Sequence, residues 1–426
     1  MSRRLWQGLG VIALAGCATS APESTVEIYS WWVSGAEQVA LDAVLKNFAE
    51  ANPNVQVTNA AAQDSLNAQD ELQIRMRLGD PPDLFQINGG AELMQYAPEG
   101  SLSLLVPLDD LATAENWKQV VPPVVWQAIT ASGHVYAVPV DIARVNVLFY
   151  NKHLFDDNGL TPPTSLVGFV EVAQALQDKI LRPVAIGDKV PWTLEVIFKS
   201  CLAAAGQANY YAQFVQGVNG YFAGTDGTTF DPIFNSAVEC FATIVSYADK
   251  TLMRSEAWND AVLDVVSGHA AMTIMGDWAL GEFLKDGAVA DQDFGEIPAP
   301  DSQDTFIFTT DSFVLPVGAK NRSGALALLA VWGSASGQNA FYPLKGTLAA
   351  RSDVDSGAYD IFARNTLQEF SDAEDAGRLV PDWPLAFPQA FSTIFDAALD
   401  RFVDDGNAEN LVLTVKNNYD LLTASH

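Results

Sequence analysis

Val26, Glu27, Ile28 and Tyr29 follow the two-residue period of a strand with one buried face. Leu41, Val44, Leu45 and Phe48 then recur at three- and four-residue spacing, predicting a helix that Asn52 and Pro53 end. Val55, Gln56 and Val57 predict a second strand. Leu72, Met76 and Leu78 predict a second helix running into the turn Gly79-Asp80-Pro81-Pro82. Asp83-Leu84-Phe85-Gln86-Ile87 predicts a third strand that closes on Asn88-Gly89-Gly90. Strand, helix, strand, helix, strand is the order of a parallel α/β sheet. Ligands of such sheets sit beyond the carboxyl ends of the strands. Those ends carry Ser30-Trp31-Trp32 and Gln86-Ile87-Asn88-Gly89-Gly90.

Residues 154–285 read as mainly helical, with a loop over 221–232. A strand-like pair follows over 305–308 and 311–317, then a helix over 322–332. Prolines 343, 381, 384 and 388 punctuate the remainder with turns. There is no internal repeat. At 426 residues the chain is too long for one hydrophobic core, so two lobes are expected.

The first residues read as a targeting segment. Arg3 and Arg4 precede an apolar run over 5–15 that is too short to span a bilayer as a folded helix. Leu14-Ala15-Gly16-Cys17 reads as a lipobox, so residues 1–16 are expected to be a lipoprotein signal peptide, Cys17 the lipid attachment site and 17–24 a linker. Each buried acyl methylene contributes about 0.8 kcal/mol, so several chains anchor firmly. An ordinary secretory signal cut after Ala18 or Ser20 is the alternative. Cys201 and Cys240 could pair in an oxidising compartment or remain buried thiols.

With 52 acidic against 23 basic residues, net charge −29, the chain repels nucleic acid and anionic lipid. His134, His153, His269 and His426 are scattered, without metal-site spacing, and no thiolate cluster exists. Neither a phosphate-binding glycine loop nor a Gly-x-Ser-x-Gly elbow occurs, so no cofactor, metal or enzymatic activity is expected. Ten tryptophans and 11 tyrosines suit a sugar. Pyranose C–H faces lie flat on indole rings, and the hydroxyl rim takes carboxylate, amide and ammonium partners.

Several segments together resemble a known family. They are Ile28-Tyr29-Ser30-Trp31-Trp32, Gly79-Asp80-Pro81-Pro82-Asp83, and Val138-Pro139-Val140 followed by Tyr150-Asn151-Lys152. Ala270-Ala271-Met272 with Gly276-Asp277-Trp278 is the most recognisable of them. The resemblance is to the bacterial extracellular solute-binding proteins of carbohydrate ABC importers. Asp311-Ser312-Phe313, Pro316-Val317-Gly318-Ala319-Lys320-Asn321 and Pro343-Leu344-Lys345-Gly346-Thr347 are similar to the glucose-binding branch.

The resemblance implies the two-lobed type II periplasmic-binding-protein fold: α/β, each lobe a mainly parallel sheet flanked by helices, with the ligand cleft between the lobes. The chain is expected to cross between lobes near Val138 to Asp141, again over 296–300 and again over 332–336. That gives an N-terminal lobe of 25–140 with 297–333 and a C-terminal lobe of 141–296 with 334–426. It implies a monomeric, non-enzymatic binding lipoprotein in the periplasm or at the cell surface. Its expected partners are a monosaccharide, glucose or a related aldohexose, and the permease subunits of the importer. Another sugar or polyol, or a chemoreceptor or sensor kinase as partner, is the alternative.

The residues expected to hold sugar are Trp31, Trp32, Gln86, Asn88, Arg144, Asn146, Asp277, Trp278, Asp311, Lys345 and Trp383. Trp31 and Trp32 point to opposite faces if the strand geometry continues, and the resemblance favours Trp32 for the cleft. Trp278 is expected on a sugar face with Asp277 beside it; Asp311 accepts hydroxyls and Lys345 donates to them. Asn88 and Trp383 stand where the glucose-binding branch carries histidines. Trp192, Trp258 and Glu37 are secondary candidates, with packing favoured for Trp258 and a solvated helix position for Glu37.

Overall fold

The computed structural model describes residues 24–61, 68–98, 102–177, 179, 182–190, 192–216 and 231–423. The expected signal peptide, Cys17 and the linker up to residue 23 lie outside these residues, as does most of the loop expected over 221–232.

The first five elements follow their periodicity. Strand β1 (Ser24–Tyr29) buries Val26 and Ile28. Helix α1 (Gly35–Ala51) buries Ala36, Ala40, Leu41, Val44 and Phe48 along one stripe, and ends where the Asn52 N–H donates to the Phe48 carbonyl. Strand β2 (Val55–Asn59), helix α2 (Ala68–Arg77) and strand β3 (Leu84–Ile87) follow. β3 is buried on both faces, as a central strand must be. A short helix α3 (Gly90–Tyr96) leaves its carboxyl end.

β1 pairs in parallel with β2 and β3, with Val26 opposite Val57 and Ile28 opposite Leu84. Two later strands complete this sheet: Ser312–Val314 antiparallel beside β3, then Ala137–Pro139 at the edge, antiparallel to Ser312–Val314 and so running with β1 to β3. A second sheet has the order Phe294–Pro298, Val147–Asn151, Ala270–Met275, Arg182–Val184, and only its last pair is parallel. The lobes are α/β with mixed sheets in which most strands share one direction, as expected: Ser312–Val314 alone runs against the other four in the first, and Val147–Asn151 alone against the other three in the second.

A third sheet lies between the other two: Leu348–Ala349, Asp141–Arg144, Phe306–Thr309, Leu379–Pro381. The chain passes from the first sheet into it at Val140 and returns through Thr310 and Asp311. The two passages are stitched together by Val140 N–H to the Asp311 carbonyl, 2.8 Å, and Thr310 Oγ1 to the Asp141 carbonyl, 2.6 Å. The strands expected over 305–308 and 311–317 are therefore successive parts of one passage, in different sheets.

The crossing expected over 296–300 is displaced, because Glu296 pairs with Phe149 inside the second sheet. The crossing expected over 332–336 is displaced too. Trp332 is fully buried in the first lobe, helix Ala335–Lys345 packs along α1, and the chain leaves only at Leu348. Residues 334–345 thus sit with the first lobe rather than the second.

Each lobe has an aromatic core. Trp32, Phe313, Trp332 and Phe341 pack together in the first. Phe198, Phe214, Trp383, Phe391 and Phe395 do so in the second. There Cys201, on helix Trp192–Val215, and Cys240, on helix Pro232–Ser246, form a disulfide with a Cα separation of 5.7 Å. Among the described residues no helix is long and apolar enough to cross a membrane.

Candidate functional site

The strand breaks between lobes gather a buried charge network. Asp311 follows the Thr310 break and Lys345 ends helix Ala335–Lys345, just before glycine releases the chain. The Lys345 ammonium donates to the Asp311 carboxylate, lies 3.0 Å from Asp141 Oδ2 and 3.9 Å from Glu37 Oε1. Asp311 also accepts from Gln86 Nε2 at 2.9 Å, and Gln86 Oε1 accepts from Ser30 Oγ at 2.7 Å. Asp141 accepts from the Asp311 N–H at 3.0 Å and from Thr347 Oγ1 at 2.9 Å. Gln86, Asp311 and Lys345, named from sequence, are thus brought together at the carboxyl end of β3.

One ammonium cannot neutralise three carboxylates, of which Asp141 and Asp311 are buried and Glu37 is partly so. Burial pushes the Glu37 carboxyl up to about 8, against the opposing pull of Lys345. Burial likewise raises Asp141 to about 6. Burial opposes the charge on Lys345, but Asp141, Asp311 and Glu37 outweigh it and hold its proton more tightly than usual. The cluster offers what a hydroxyl-rich molecule requires: carboxylate acceptors, an ammonium donor and a carboxyl that still carries its proton.

A second group faces this one from the carboxyl ends of the parallel pair in the second sheet. Helix Trp192–Val215 follows Arg182–Val184; helix Trp258–Val266 precedes Ala270–Met275; Trp278 caps the helix Ala279–Lys285 that follows it. Their antiparallel run beside the strands puts all three tryptophans at one end. The half-buried rings form a chain, with 6.1 Å between the centroids of Trp278 and Trp192 and 6.5 Å between Trp192 and Trp258. Asp277 donates its N–H to the Arg144 carbonyl of the hinge strand at 2.9 Å, and its Oδ2 accepts the Arg144 N–H at 2.9 Å. Its Oδ1 is buried without a protein partner. Burial raises this carboxyl well above the usual range, and Glu296 and Asp141 add to the effect.

The other named residues fall elsewhere. Trp32, favoured for the cleft, is fully buried with Phe313, Trp332 and Phe341; Trp31 is the half-buried one of the pair. The strand ends at Tyr29, so alternation no longer governs these two. Asn88 is partly exposed and donates its backbone N–H to Glu92 Oε2. Arg144 turns away to pair with Glu369 and to lie 4.8 Å over the Phe306 ring. Asn146 is fully buried and bonds Ser302, Thr305 and the Ile307 N–H. Both its amide atoms serve the hinge, a correction to its expected role. Trp383 is also fully buried, in the second aromatic core, so it cannot stack on a ligand.

Sequence reasoning missed Asp141, Ser30 and Thr347, and took Glu37 for a surface charge. Asp141 is the last residue of the predicted crossing, a charge between Val140 and Ile142, and that break in an apolar run was the available signal.

A family described as bacterial extracellular solute-binding protein matches residues 43–366. An uncharacterised ABC-transporter extracellular-binding protein of Pyrococcus horikoshii is 33% identical over 393 residues, 90% of this chain and 85% of the relative. A probable sugar-binding periplasmic protein of Rhizobium meliloti is 28% identical over 408 residues, 95% of each chain. Among solved structures, the bacterial solute receptor AcbH, which has an exclusive preference for β-D-galactopyranose, superposes with a TM-score of 0.77. That match has 19% identity over 93% of this chain and 98% of the receptor, and it shows the shared fold. The role of such proteins is binding rather than catalysis. With the matched span reaching from α1 through the hinge strands to the helix after Tyr359, the chain belongs to the bacterial extracellular solute-binding protein family.

Proposed function

We propose that the chain is the sugar-binding component of a carbohydrate ABC importer. It would close its lobes on a monosaccharide, glucose or a related aldohexose, and deliver it to the permease. The observation that carries this reading is the pairing of the Asp311–Lys345–Asp141 network with the Trp278 ring beside Asp277. Polar tips suit the hydroxyl rim and an indole suits the C–H face. A buried hydroxyl without a partner costs about 1–3 kcal/mol, so this fixed set of partners selects among epimers. The sugar-binding relative from Rhizobium meliloti and the galactopyranose preference of AcbH support the substrate class.

In this reading Cys17 carries the lipid anchor, the mature protein is a monomer on a bacterial membrane, and the lobes move about the third sheet. Ligand drives closure only through its better affinity for the closed state.

The deciding experiment is a thermal-shift screen against hexoses, pentoses, polyols and disaccharides, with calorimetry on the hits. A ligand at 100 times its dissociation constant stabilises the native state by about 2.7 kcal/mol. Absence of any shift ends the reading. Loss of membrane association in Cys17→Ser tests the anchor separately. The chain of rings from Trp278 through Trp192 to Trp258 favours a second reading, a disaccharide or longer ligand, and the same screen separates the two.

A further inference from the structure

We infer that Glu282 is a closure residue: a carboxylate of the second lobe that caps the amino terminus of α1 in the first lobe, and so sets ligand affinity without touching ligand. Helix α1 has 17 residues, and its Ser34 cap makes no side-chain hydrogen bond. Its first N–H groups therefore need an acceptor from elsewhere. Glu282 supplies one across the lobe boundary, with Oε1 accepting the Ala36 N–H at 2.6 Å. The carboxylate is 1% exposed and also lies at the positive end of the helix dipole.

The approach is shaped for this contact. Gly35 has φ +65°, and a Cβ there would lie 1.9 Å from Glu282 Oε1. One residue before Glu282, Gly281 sits against the end of helix Ala335–Lys345. A Cβ on it would lie 2.4 Å from the Lys345 carbonyl oxygen. Helix Ala279–Lys285 therefore meets the first lobe at two points, and glycine gives room at both. Lys285 Nζ, 3.5 Å from Glu282 Oε2, supplies the other oxygen with a partner from the same helix. On the far rim, Gly90 lies under the Leu385 carbonyl and Gln73 bonds Gln389, so the lobes are shut on both sides.

The cap exists only when the lobes meet. Its free energy belongs to the closed state alone and adds directly to apparent affinity. The affinity readout rests on the sugar-binding reading, whereas the closure readout does not.

The test measures dissociation constants by calorimetry and the radius of gyration by solution X-ray scattering for wild type, Glu282→Ala, Glu282→Gln and Gly35→Ala. Expected for Glu282→Ala is an affinity loss of about 2- to 30-fold, the range for losing a helix cap. That loss should be equal for every sugar the wild type binds, with a more open mean radius at sub-saturating sugar. Glu282→Gln should fall between the two, and Gly35→Ala, altered from the opposite lobe, should shift both readouts the same way. Unchanged affinity with unchanged radii overturns the inference, and so does a loss confined to particular sugars, which would make Glu282 a ligand contact. If no sugar binds the wild type, the sugar reading fails alone when ligand-free wild type still populates the closed radius more than Glu282→Ala does. A wild type that never closes overturns the latch as well.

Discussion

The Lys345 ammonium lies 4.4 Å over the Trp32 ring, so the buried tryptophan next to the cleft serves as the floor for the charge. Trp32 thus acts through Lys345 rather than on a sugar. Replacing Lys345 by methionine keeps the packing but leaves Asp311 and Asp141 buried without their cation. Removal of one member of a buried ion pair is destabilising by about 3–5 kcal/mol. Denaturant unfolding of ligand-free Lys345→Met should show that loss; stability within 1 kcal/mol of wild type, by the same scale, would contradict the network.

Trp32 and Trp278 should separate stability from binding. Trp32→Ala empties a fully buried site and should lower stability by about 3–5 kcal/mol. Trp278→Ala removes a half-buried ring and should abolish the sugar-induced thermal shift with a smaller stability loss. Trp192→Ala should leave a monosaccharide's affinity nearly intact while weakening any ligand of two or more rings. Equal effects of Trp32→Ala and Trp278→Ala on both readouts would refute the division.

Stability should fall as pH rises through neutrality. In the unfolded chain Glu37 loses its proton near the ordinary glutamate value, about 4.3. In the folded chain it keeps the proton up to about 8, because burial penalises the charge. Between those values the native state binds more protons than the unfolded one, so the contribution is full in acid and disappears toward pH 8. Asp141 at about 6, Glu92 at about 7 and Glu296 at about 8 carry the same sign, each raised by burial. The melting temperature should therefore decline from about pH 5.5 to about pH 8.5, and Glu37→Gln should flatten that slope. A melting temperature that climbs over the same interval would count against the assignment.

The disulfide closes a segment of 39 residues between two helices of the second lobe. A loop of that length constrains the unfolded chain by about 4 kcal/mol in the chain-entropy model. The double variant Cys201→Ser, Cys240→Ser should lose most of that amount in denaturant titration, and wild type in reductant should match it. A cross-link without effect on the unfolding midpoint would argue against the pairing.

Much of this was legible in the chain itself. The order from β1 to β3 followed from local pattern, because β1 and α1 each present an apolar periodicity and β3 is a short apolar run between turn signals. Gln86 was legible at the end of a strand and Asp311 at the start of one, whereas Lys345, read as a loop residue, rested on the family resemblance. Their partners were not legible, since Asp141 meets Asp311 across 170 positions and Glu282 meets Ala36 across 246. Periodicity reports which face of an element is buried but not what lies against it. Trp383 shows the same limit: a tryptophan beside a proline looks equally suited to a ligand or to a core, and five aromatic neighbours decide for the core. The second and third crossings were misplaced because local pattern does not report that Glu296 to Pro298 still pair in the second sheet or that helix Ala335–Lys345 packs back on α1.

Gly276 lies flat beneath the Trp278 indole, close enough that a methyl group there would overlap the ring at 2.1 Å. Substituting this glycine, even by alanine, would tip the indole off its bed while every polar contact of the cleft stayed in place. Drift at a position with no side chain of its own could therefore retune which guests the protein accepts, and a scan limited to groups that touch the guest would overlook it.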